Sequence, residues 1–246
     1  MKLTNRTVLI VGGTSGIGLE LAHRFAKDGN TVVTGGRKPE PQDGLQSVQI
    51  DVTDPASVLR ARDEVLAAHP DLDVVVTMSG ALLTEDLRDP AHITDAENMV
   101  ATNLLGTIRV IDAFTPHLIG RGAGTIITVS SGIAFLPFPL MATYGATKAA
   151  IHSYTESLRA HLVGTGVEVA ELVPPAVATP AMAKLNPAAV PVDDYLDEVM
   201  ELLAVEPTTR EIIAEAALPL RWAERDGTYA ELLERRSAPL NNLPGR

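Results

Sequence analysis

The sequence predicts a protein of the α/β class, a three-layer doubly wound parallel sheet with helices on both faces. Short runs of β-branched residues alternate with longer segments whose apolar residues recur at helical spacing. The runs are apolar throughout, as in Thr7–Val11, which is typical of strands buried on both faces of a parallel sheet. A length of 246 residues suits a single domain of this class.

The elements follow in order along the chain. The predicted strands are Thr7–Val11, Thr31–Thr34, Ser47–Ile50, Asp73–Met78, Thr125–Val129 and Val167–Val173. The predicted helices are Ile17–Lys27, a helix from the cap Asp54 to about His69, one from the capping box Thr94–Glu97 to about Ile119, and Thr143 to about Leu162. Glu211–Ala214 fits either a strand or a helix, and its periodicity leaves the choice open.

We expect residues 1–246 to form one dinucleotide-binding catalytic domain. Segment 175–206 begins with a stretch rich in Pro and Ala, and we expect it to be a substrate loop over the open end of the sheet. Segment 207–246 shows no clear α/β pattern and is expected to be a divergent C-terminal segment.

Composition excludes several classes of function. Lys and Arg number 20 against 31 Asp and Glu, so the net charge of −11 disfavours nucleic-acid partners and anionic membranes. The absence of cysteine excludes disulfides, thiolate catalysis and Cys-ligated metals, and we expect no metal site. No apolar run reaches the length of a membrane span or of a signal peptide, which favours a cytoplasmic enzyme or binding protein.

A glycine-rich loop joins the first strand to the first helix, in the sequence Gly-Gly-Thr-Ser-Gly-Ile-Gly from Gly12 to Gly18. Gly12 permits a tight turn, Gly16 leaves room for a pyrophosphate, and Gly18 allows the helix to pack closely on the sheet. The free N–H groups at the helix N-terminus then face the phosphates. This context predicts dinucleotide binding.

The end of the second strand indicates which dinucleotide. Residues 31–39 include no acid to bind a ribose 2′-hydroxyl, but they include Arg37 and Lys38, which suit a 2′-phosphate. We therefore predict NADP(H) and consider NAD(H) the weaker alternative. Asp51 and Val52 follow the third strand and are placed to contact the adenine.

Tyr144 and Lys148 stand four residues apart and share one face of a predicted helix. A nearby ammonium favours the phenolate, so we expect the pKa of Tyr144 to be lowered enough for acid–base catalysis. Ser131, thirteen residues upstream at a strand end, is placed to hold a carbonyl oxygen beside the tyrosine. The chain has no nucleophile elbow, which excludes the serine hydrolases.

Together these motifs resemble the short-chain dehydrogenase/reductase family, in its single-domain branch with a Rossmann fold. The resemblance implies that Tyr144 is the general acid or base, that Lys148 bonds the nicotinamide ribose, and that Ser131 polarises the substrate carbonyl. It also implies that Asn103 bends its helix and holds a water in a proton relay, and that Thr179 and the backbone of Val177 bind the carboxamide. The full predicted cofactor set is Gly12, Thr14, Ser15, Gly16, Ile17, Gly18, Arg37, Lys38, Asp51, Val52, Ser79, Gly80, Tyr144, Lys148, Pro174, Val177 and Thr179.

The chain departs from the family pattern in several places, including Val11, where the family has a threonine before the first motif glycine. Thr77-Met78-Ser79 replaces residues that usually include bracing asparagines, and Pro175 stands where the family has glycine. The family's final strand is not evident, and a segment around Arg221 takes its place. The resemblance implies a homodimer through the two long helices, with a tetramer as the alternative.

The residues between Ser131 and Tyr144 suggest an apolar carbonyl or secondary-alcohol substrate. Residues predicted to line or close the pocket are Phe135, Leu136, Phe138, Leu140, Met141, Met182 and Leu185. Two other functions compete with the dehydrogenase. A non-catalytic NADP(H)-binding regulator would not need Asn103, Ser131, Tyr144 and Lys148 together. A nucleotide-sugar epimerase or dehydratase usually needs a larger C-terminal domain than this chain has room for.

Overall fold

The computed structural model describes residues 1–180, 182 and 185–244. Its strands are β1 (Thr7–Val11), β2 (Thr31–Gly36), β3 (Gln46–Gln49), β4 (Val74–Thr77), β5 (Gly124–Val129), β6 (Val167–Val173) and β7 (Glu211–Ile213). Its helices are α1 (Gly16–Lys27), α2 (Pro55–Ala68), α3 (Ile93–Met99), α4 (Gly106–Arg121), α5 (Ala142–His161), α6 (Val192–Leu203), α7 (Leu218–Arg221) and α8 (Tyr229–Ser237).

The strands form one parallel sheet in the order β3-β2-β1-β4-β5-β6-β7. The chain runs outward from β1 in one direction and then returns to β4 on the other side of β1. The order therefore reverses between β1 and β4, and in such sheets ligands bind at the carboxyl ends of the strands beside the reversal. The predicted α/β fold is confirmed.

The side chains of alternate β1 residues pack on opposite faces of the sheet. Val8 and Ile10 join a buried cluster with helices α1 and α6, while Leu9 and Val11 join a second cluster with α2 and α4. All four side chains are almost fully buried, which explains why the strands read as continuous apolar runs. The two cores fix the sheet as a rigid support for the loops at its carboxyl edge.

Most helix boundaries agree with the prediction, and one start signal was wrong. Asp54 caps α2 by accepting a hydrogen bond from the Ala56 N–H at 2.9 Å. The expected capping box at Thr94 does not begin a helix, because a helical turn at Pro90–His92 precedes α3 and is capped by Asp89. Proline at the first position of that turn provides the stronger start signal, and Thr94 lies inside α3.

The C-terminal third contains more regular structure than expected. The predicted substrate loop 175–206 contains helix α6, whose residues Tyr195, Leu196, Val199 and Leu203 are buried at helical spacing. The undecided segment is strand β7, which pairs with β6 through Leu172 and Ile212, so a final strand is present after all. Parts of both predicted segments, residues 181, 183, 184, 245 and 246, lie outside the described residues.

Candidate active site

A cleft of about 350 Å³ lies at the carboxyl ends of β1, β2 and β4, beside the reversal of strand order. Residues from the glycine loop, from the ends of β2 and β3, and from the segment after β4 surround it. Those of the predicted cofactor set that line the cleft are Gly12, Thr14, Ser15, Ile17, Gly18, Arg37, Asp51, Val52, Ser79, Gly80 and Thr179. The predicted phosphate loop and adenine-side residues are thus brought together.

The glycines of the loop are required by close backbone contacts. Gly12 has φ +94°, and a Cβ on it would lie 2.5 Å from the Ser79 nitrogen. A Cβ on Gly18 would lie 2.2 Å from the Gly12 carbonyl oxygen. Gly16 differs, because a Cβ on it would make only an ordinary contact of 3.6 Å with the Thr179 side chain, and its φ of +54° is what favours glycine. Helix α1 therefore packs directly on the turn, and its N-terminus opens into the cleft.

The end of the cleft at which the adenosine is predicted to bind carries Arg37 and Asp51. Arg37 follows β2 and lines the cleft next to Asp51 and Thr53, whereas Lys38 is exposed and is not among the lining residues described. Hydrogen bonds from the Thr53 side chain and backbone lower the pKa of Asp51, with a further contribution from Arg37. The arrangement presents a guanidinium where the second strand ends.

A second cavity of about 540 Å³ adjoins the first, because Ala81 lines one and the neighbouring Leu82 lines the other. Ser131 and Tyr144 both line this second cavity. Pro174 borders it as well, and the Pro174 carbonyl accepts hydrogen bonds from the Gly132 N–H at 2.9 Å and the Ser131 hydroxyl at 3.3 Å. Hydroxyls suited to hold a substrate oxygen thus lie next to the nucleotide cleft.

Six residues of the predicted cofactor set are not among those described as lining the cleft, namely Gly16, Lys38, Tyr144, Lys148, Pro174 and Val177. Pro174 lines the second cavity instead of the nucleotide cleft. Val177 is buried and is not among the lining residues described for either cavity, but its carbonyl accepts a hydrogen bond from the Thr179 N–H at 2.7 Å. Val177 therefore holds Thr179 at the edge of the cleft.

The pKa of Tyr144 differs from the expectation. Burial raises it to about 12, while a hydrogen bond with Ser131 opposes the rise. The Lys148 ammonium lies 5.6 Å from the centre of the tyrosine ring and donates to the Val129 carbonyl at 2.8 Å. Burial lowers the pKa of Lys148 to about 8. In this state the tyrosine is a protonated acid, and the expectation that Lys148 lowers its pKa was wrong because desolvation dominates.

Asn103 lies in a π-helical segment, Val100–Leu105, between α3 and α4. Its buried side chain accepts from the Ala81 N–H at 2.7 Å and donates to the Ala81 carbonyl at 2.9 Å and to Thr147 Oγ1 at 3.2 Å. The regular α-helix is interrupted by this π-helical segment, at the residue where the resemblance implies a local bend. Asn103 thereby ties the segment after β4 to the helix that carries Tyr144.

Glu85 is a positioning residue that sequence reasoning missed. Its buried carboxylate accepts from the Thr143 N–H and from Thr143 Oγ1, both at 2.7 Å, at the first turn of α5. Thr143 directly precedes Tyr144, so this contact fixes the start of the helix that carries the tyrosine. The two residues are 58 positions apart, and a lone glutamate in a loop gave no sequence signal.

A charged network connects α5, β6, β7 and α7. Among the described residues, His152, Glu171 and Glu211 bring potential metal-ligating atoms within 4.8 Å of one another. His152 Nδ1 lies 2.8 Å from Glu171 Oε2, and Arg221 makes two hydrogen bonds of 2.9 Å to Glu211. These contacts satisfy the carboxylates within the protein, so we treat the group as an ion-pair network.

Only some of the residues predicted to line the second cavity do so. Phe138, Met141, Met182 and Leu185 line it, as predicted. Leu136 is fully buried, and Phe135 packs edge-on against His152 and beneath Arg221, so neither lines the cavity. Leu140 is also absent from the described lining residues. The opposite wall comes from the C-terminal segment, through Leu220, Leu232, Arg235, Arg236 and Pro239.

The fold and the two cavities define a class of protein, a dinucleotide-binding oxidoreductase of the doubly wound α/β type. Comparisons with known proteins identify the family. A model of the short chain dehydrogenase family matches residues 6–189. This chain belongs to the short-chain dehydrogenase/reductase family and is an oxidoreductase of that family.

Individual relatives agree with this assignment. An uncharacterized oxidoreductase, DltE, from Bacillus subtilis is 37% identical over 188 residues, which are 73% of this chain and 74% of that protein. The NADP-dependent 3-hydroxy acid dehydrogenase YdfG from Salmonella typhi is 32% identical over 175 residues, 68% and 71% of the two chains. A short chain dehydrogenase from Burkholderia cenocepacia, solved in complex with NADP, is 25% identical with a TM-score of 0.83, covering 95% of this chain and 99% of that one.

Proposed function

We propose that the protein transfers a hydride between NADP(H) and a carbonyl or secondary-alcohol substrate, with Tyr144 as general acid or base. The observation that carries the proposal is the shared cavity of Ser131 and Tyr144, directly beside a cleft built on the glycine loop. The cleft fits a dinucleotide, because a Cβ on Gly12 or Gly18 would collide with backbone there. The test is NADPH-dependent carbonyl reduction that depends on Tyr144, as developed in the Discussion.

Each residue has a defined role in reduction. When bound, NADPH supplies the hydride that adds to the carbonyl carbon. Ser131 donates a hydrogen bond to the carbonyl oxygen, and Tyr144 gives that oxygen its proton, so that the product is an alcohol. Lys148 holds a positive charge beside the tyrosine and bonds the nicotinamide ribose, as the family resemblance implies. Alcohol oxidation follows the same path in reverse, with the Tyr144 phenolate as base.

NADP(H) is proposed as the cofactor because Arg37 lines the cleft at the end of β2. The names of the YdfG and Burkholderia proteins, which mention NADP, support this choice. We expect Arg37→Ala to raise the KM for NADPH by about 10-fold to 100-fold, the range for losing a charged hydrogen bond, with little change for NADH. Steady-state kinetics with both cofactors provide the measurement.

Lys38→Ala is the matched control, because Lys38 is exposed and is not among the residues described as lining the cleft. It should leave the KM for NADPH within about twofold of the wild-type value, as expected for a surface charge. If wild-type enzyme prefers NADH, or if Arg37→Ala and Lys38→Ala have equal effects, Arg37 does not select the cofactor.

The substrate is proposed to be a small carbonyl or alcohol compound with an apolar part, since Ile133, Phe138 and Met141 line the second cavity. None of the helices in the described residues is long and apolar enough to cross a membrane. We propose a cytoplasmic location, which cell fractionation tests, since enrichment in a membrane or secreted fraction would contradict it.

We further propose a homodimer through α4 and α5. The exposed face of α5 carries small residues at helical spacing, Ala146, Ala149, Ser153, Ser157 and Ala160, which permit close approach of another helix. Light scattering is expected to give twice 26.1 kDa, or 52.2 kDa. Ser153→Arg should shift the mass toward the monomer, whereas Ser47→Arg, on the exposed edge strand β3, should not. A tetrameric mass, or a dimer that survives Ser153→Arg, would place the interface elsewhere.

A further inference from the structure

The C-terminal segment supplies one wall of the substrate cavity. Helix α8 and the turn after it contribute Leu232, Arg235, Arg236 and Pro239, opposite the residues that include Ser131 and Tyr144. These residues lie outside positions 6–189, the part of the chain that matches the family model. The chemistry of this wall therefore comes from residues that the family model does not cover.

Arg236 is held firmly in that wall. Its Nε donates to the Pro137 carbonyl at 3.0 Å, and its guanidinium lies 5.2 Å from the centre of the Phe138 ring. Both contacts are with the loop that leads to Tyr144, and Phe138 itself lines the cavity. Neither terminal nitrogen of the guanidinium has a hydrogen bond to another of the described residues. The side chain is thus held by a neutral carbonyl and an aromatic ring.

Arg236 has no carboxylate partner among the described residues. Partial burial lowers its pKa, which shows that desolvation is not compensated by a nearby anion. Some other partly buried arginines do have carboxylate partners, since Arg24 pairs with Asp193 and Asp197, and Arg221 with Glu211. Arg235 beside it has only a loose, exposed contact of 3.7 Å with Glu231. In a chain of net charge −11, an uncompensated guanidinium in the substrate cavity is notable.

A partly buried cation without a counterion is unfavourable unless a ligand supplies the negative charge. A guanidinium matches the geometry of a carboxylate or phosphate through two parallel hydrogen bonds. The apolar residues on the two walls, such as Ile133 and Leu232, suit an uncharged segment of substrate. The cavity volume of about 540 Å³ is in the usual range for small-molecule sites.

We infer that the substrate is an anionic carbonyl or alcohol compound whose carboxylate or phosphate group binds Arg236, with Arg235 at the rim, while its carbonyl meets Ser131 and Tyr144. The inference rests on the proposed function and extends it from an apolar substrate to one with an apolar middle and an anionic end. Arg236 is a specificity-determining residue in this account. It takes no part in hydride or proton transfer.

Calorimetric binding to the NADP⁺-loaded protein tests the inference without turnover, because the oxidised cofactor has no hydride to give to a ketone probe. The probes are levulinate, its neutral methyl ester, and acetonylphosphonate, which separate the carboxylate and phosphate-like forms of the anion. We expect the better of the two anions to bind about 10-fold to 100-fold more tightly than the ester. Arg236→Gln should reduce this ratio to about one, and Arg236→Lys should retain part of it.

Arg225→Gln is the matched control, because Arg225 is an exposed arginine that pairs with Asp226 and is not among the described cavity residues. It should leave the anion-to-ester ratio unchanged, and thermal unfolding confirms that each variant is folded. Equal binding of anions and ester to the wild-type protein would overturn the inference, as would a ratio that survives Arg236→Gln. Loss of NADPH turnover or of its dependence on Tyr144 would instead refute the proposed function.

Discussion

Replacement of Tyr144 by Phe is expected to lower the kcat of carbonyl reduction by about 100-fold to 10,000-fold, the usual contribution of a positioned general acid. The substitution removes only the hydroxyl that meets the substrate oxygen beside Ser131. NADPH affinity should be almost unchanged, since the glycine loop and Arg37 stay intact. NADPH absorbance gives the rate, and fluorescence titration of NADPH gives the affinity.

The pH dependence provides a second measurement of the same assignment. Because burial raises the pKa of Tyr144 to about 12, the phenol is protonated through the neutral range and is ready to act as an acid in reduction. Burial lowers the pKa of Lys148 to about 8, so its positive charge is present below that pH and is lost above it. The kcat of carbonyl reduction should therefore decline as the pH rises through about 8.

Two results would contradict this account of Tyr144. The first is a Tyr144→Phe variant that retains more than about a tenth of the wild-type kcat, since a general acid contributes more than that. The second is a decline near pH 8 that persists in Lys148→Arg, because a guanidinium keeps its charge over this range.

Replacement of Gly18 by Ala is expected to have the largest effect on cofactor binding. The new Cβ would lie 2.2 Å from the Gly12 carbonyl oxygen, a backbone atom that moves only if the phosphate loop moves. Overpacking of this kind costs about 1–3 kcal/mol, and displacement of the loop also misaligns the N–H groups that face the phosphates. We expect the Kd for NADPH to rise by about 100-fold or more.

Gly120→Ala is the matched control, because a Cβ at Gly120 meets nothing within 4 Å and the residue lies in helix α4. That variant should bind NADPH normally and be slightly more stable, as alanine favours helix over glycine. If Gly18→Ala bound NADPH as tightly as the wild-type protein, the close packing of α1 on the turn would not define the cofactor site.

The sequence predicted those parts of the site that depend on local spacing. The glycine loop needs only a strand before it and a helix after it, and Tyr144 and Lys148 need only one helical turn between them. Strand β7 was undecided because three residues, Glu211–Ile213, are too few for periodicity to separate strand from helix. Its pairing with β6 resolves the choice.

Other features depend on contacts between distant segments or on burial. Glu85 reaches Thr143 across 58 positions, and the C-terminal arginines meet the cavity only after α8 packs against the loop at Pro137. The raised pKa of Tyr144 follows from desolvation, a quantity that requires the folded structure. The i, i+4 spacing of Tyr144 and Lys148 led us to expect that the lysine charge would control the pKa of the tyrosine. In the structure the Lys148 ammonium donates a hydrogen bond to the Val129 carbonyl instead.

The most direct test of the account follows deuterium from C4-deuterated NADPH into the product formed from a panel of ketones, aldehydes and keto acids. We predict one deuterium on the carbinol carbon for each NADPH consumed by the wild-type enzyme, and formation of the same product at least about 100-fold more slowly with Tyr144→Phe. Tight NADPH binding without deuterium transfer to any carbonyl in the panel would contradict the account and favour a dinucleotide-binding regulator.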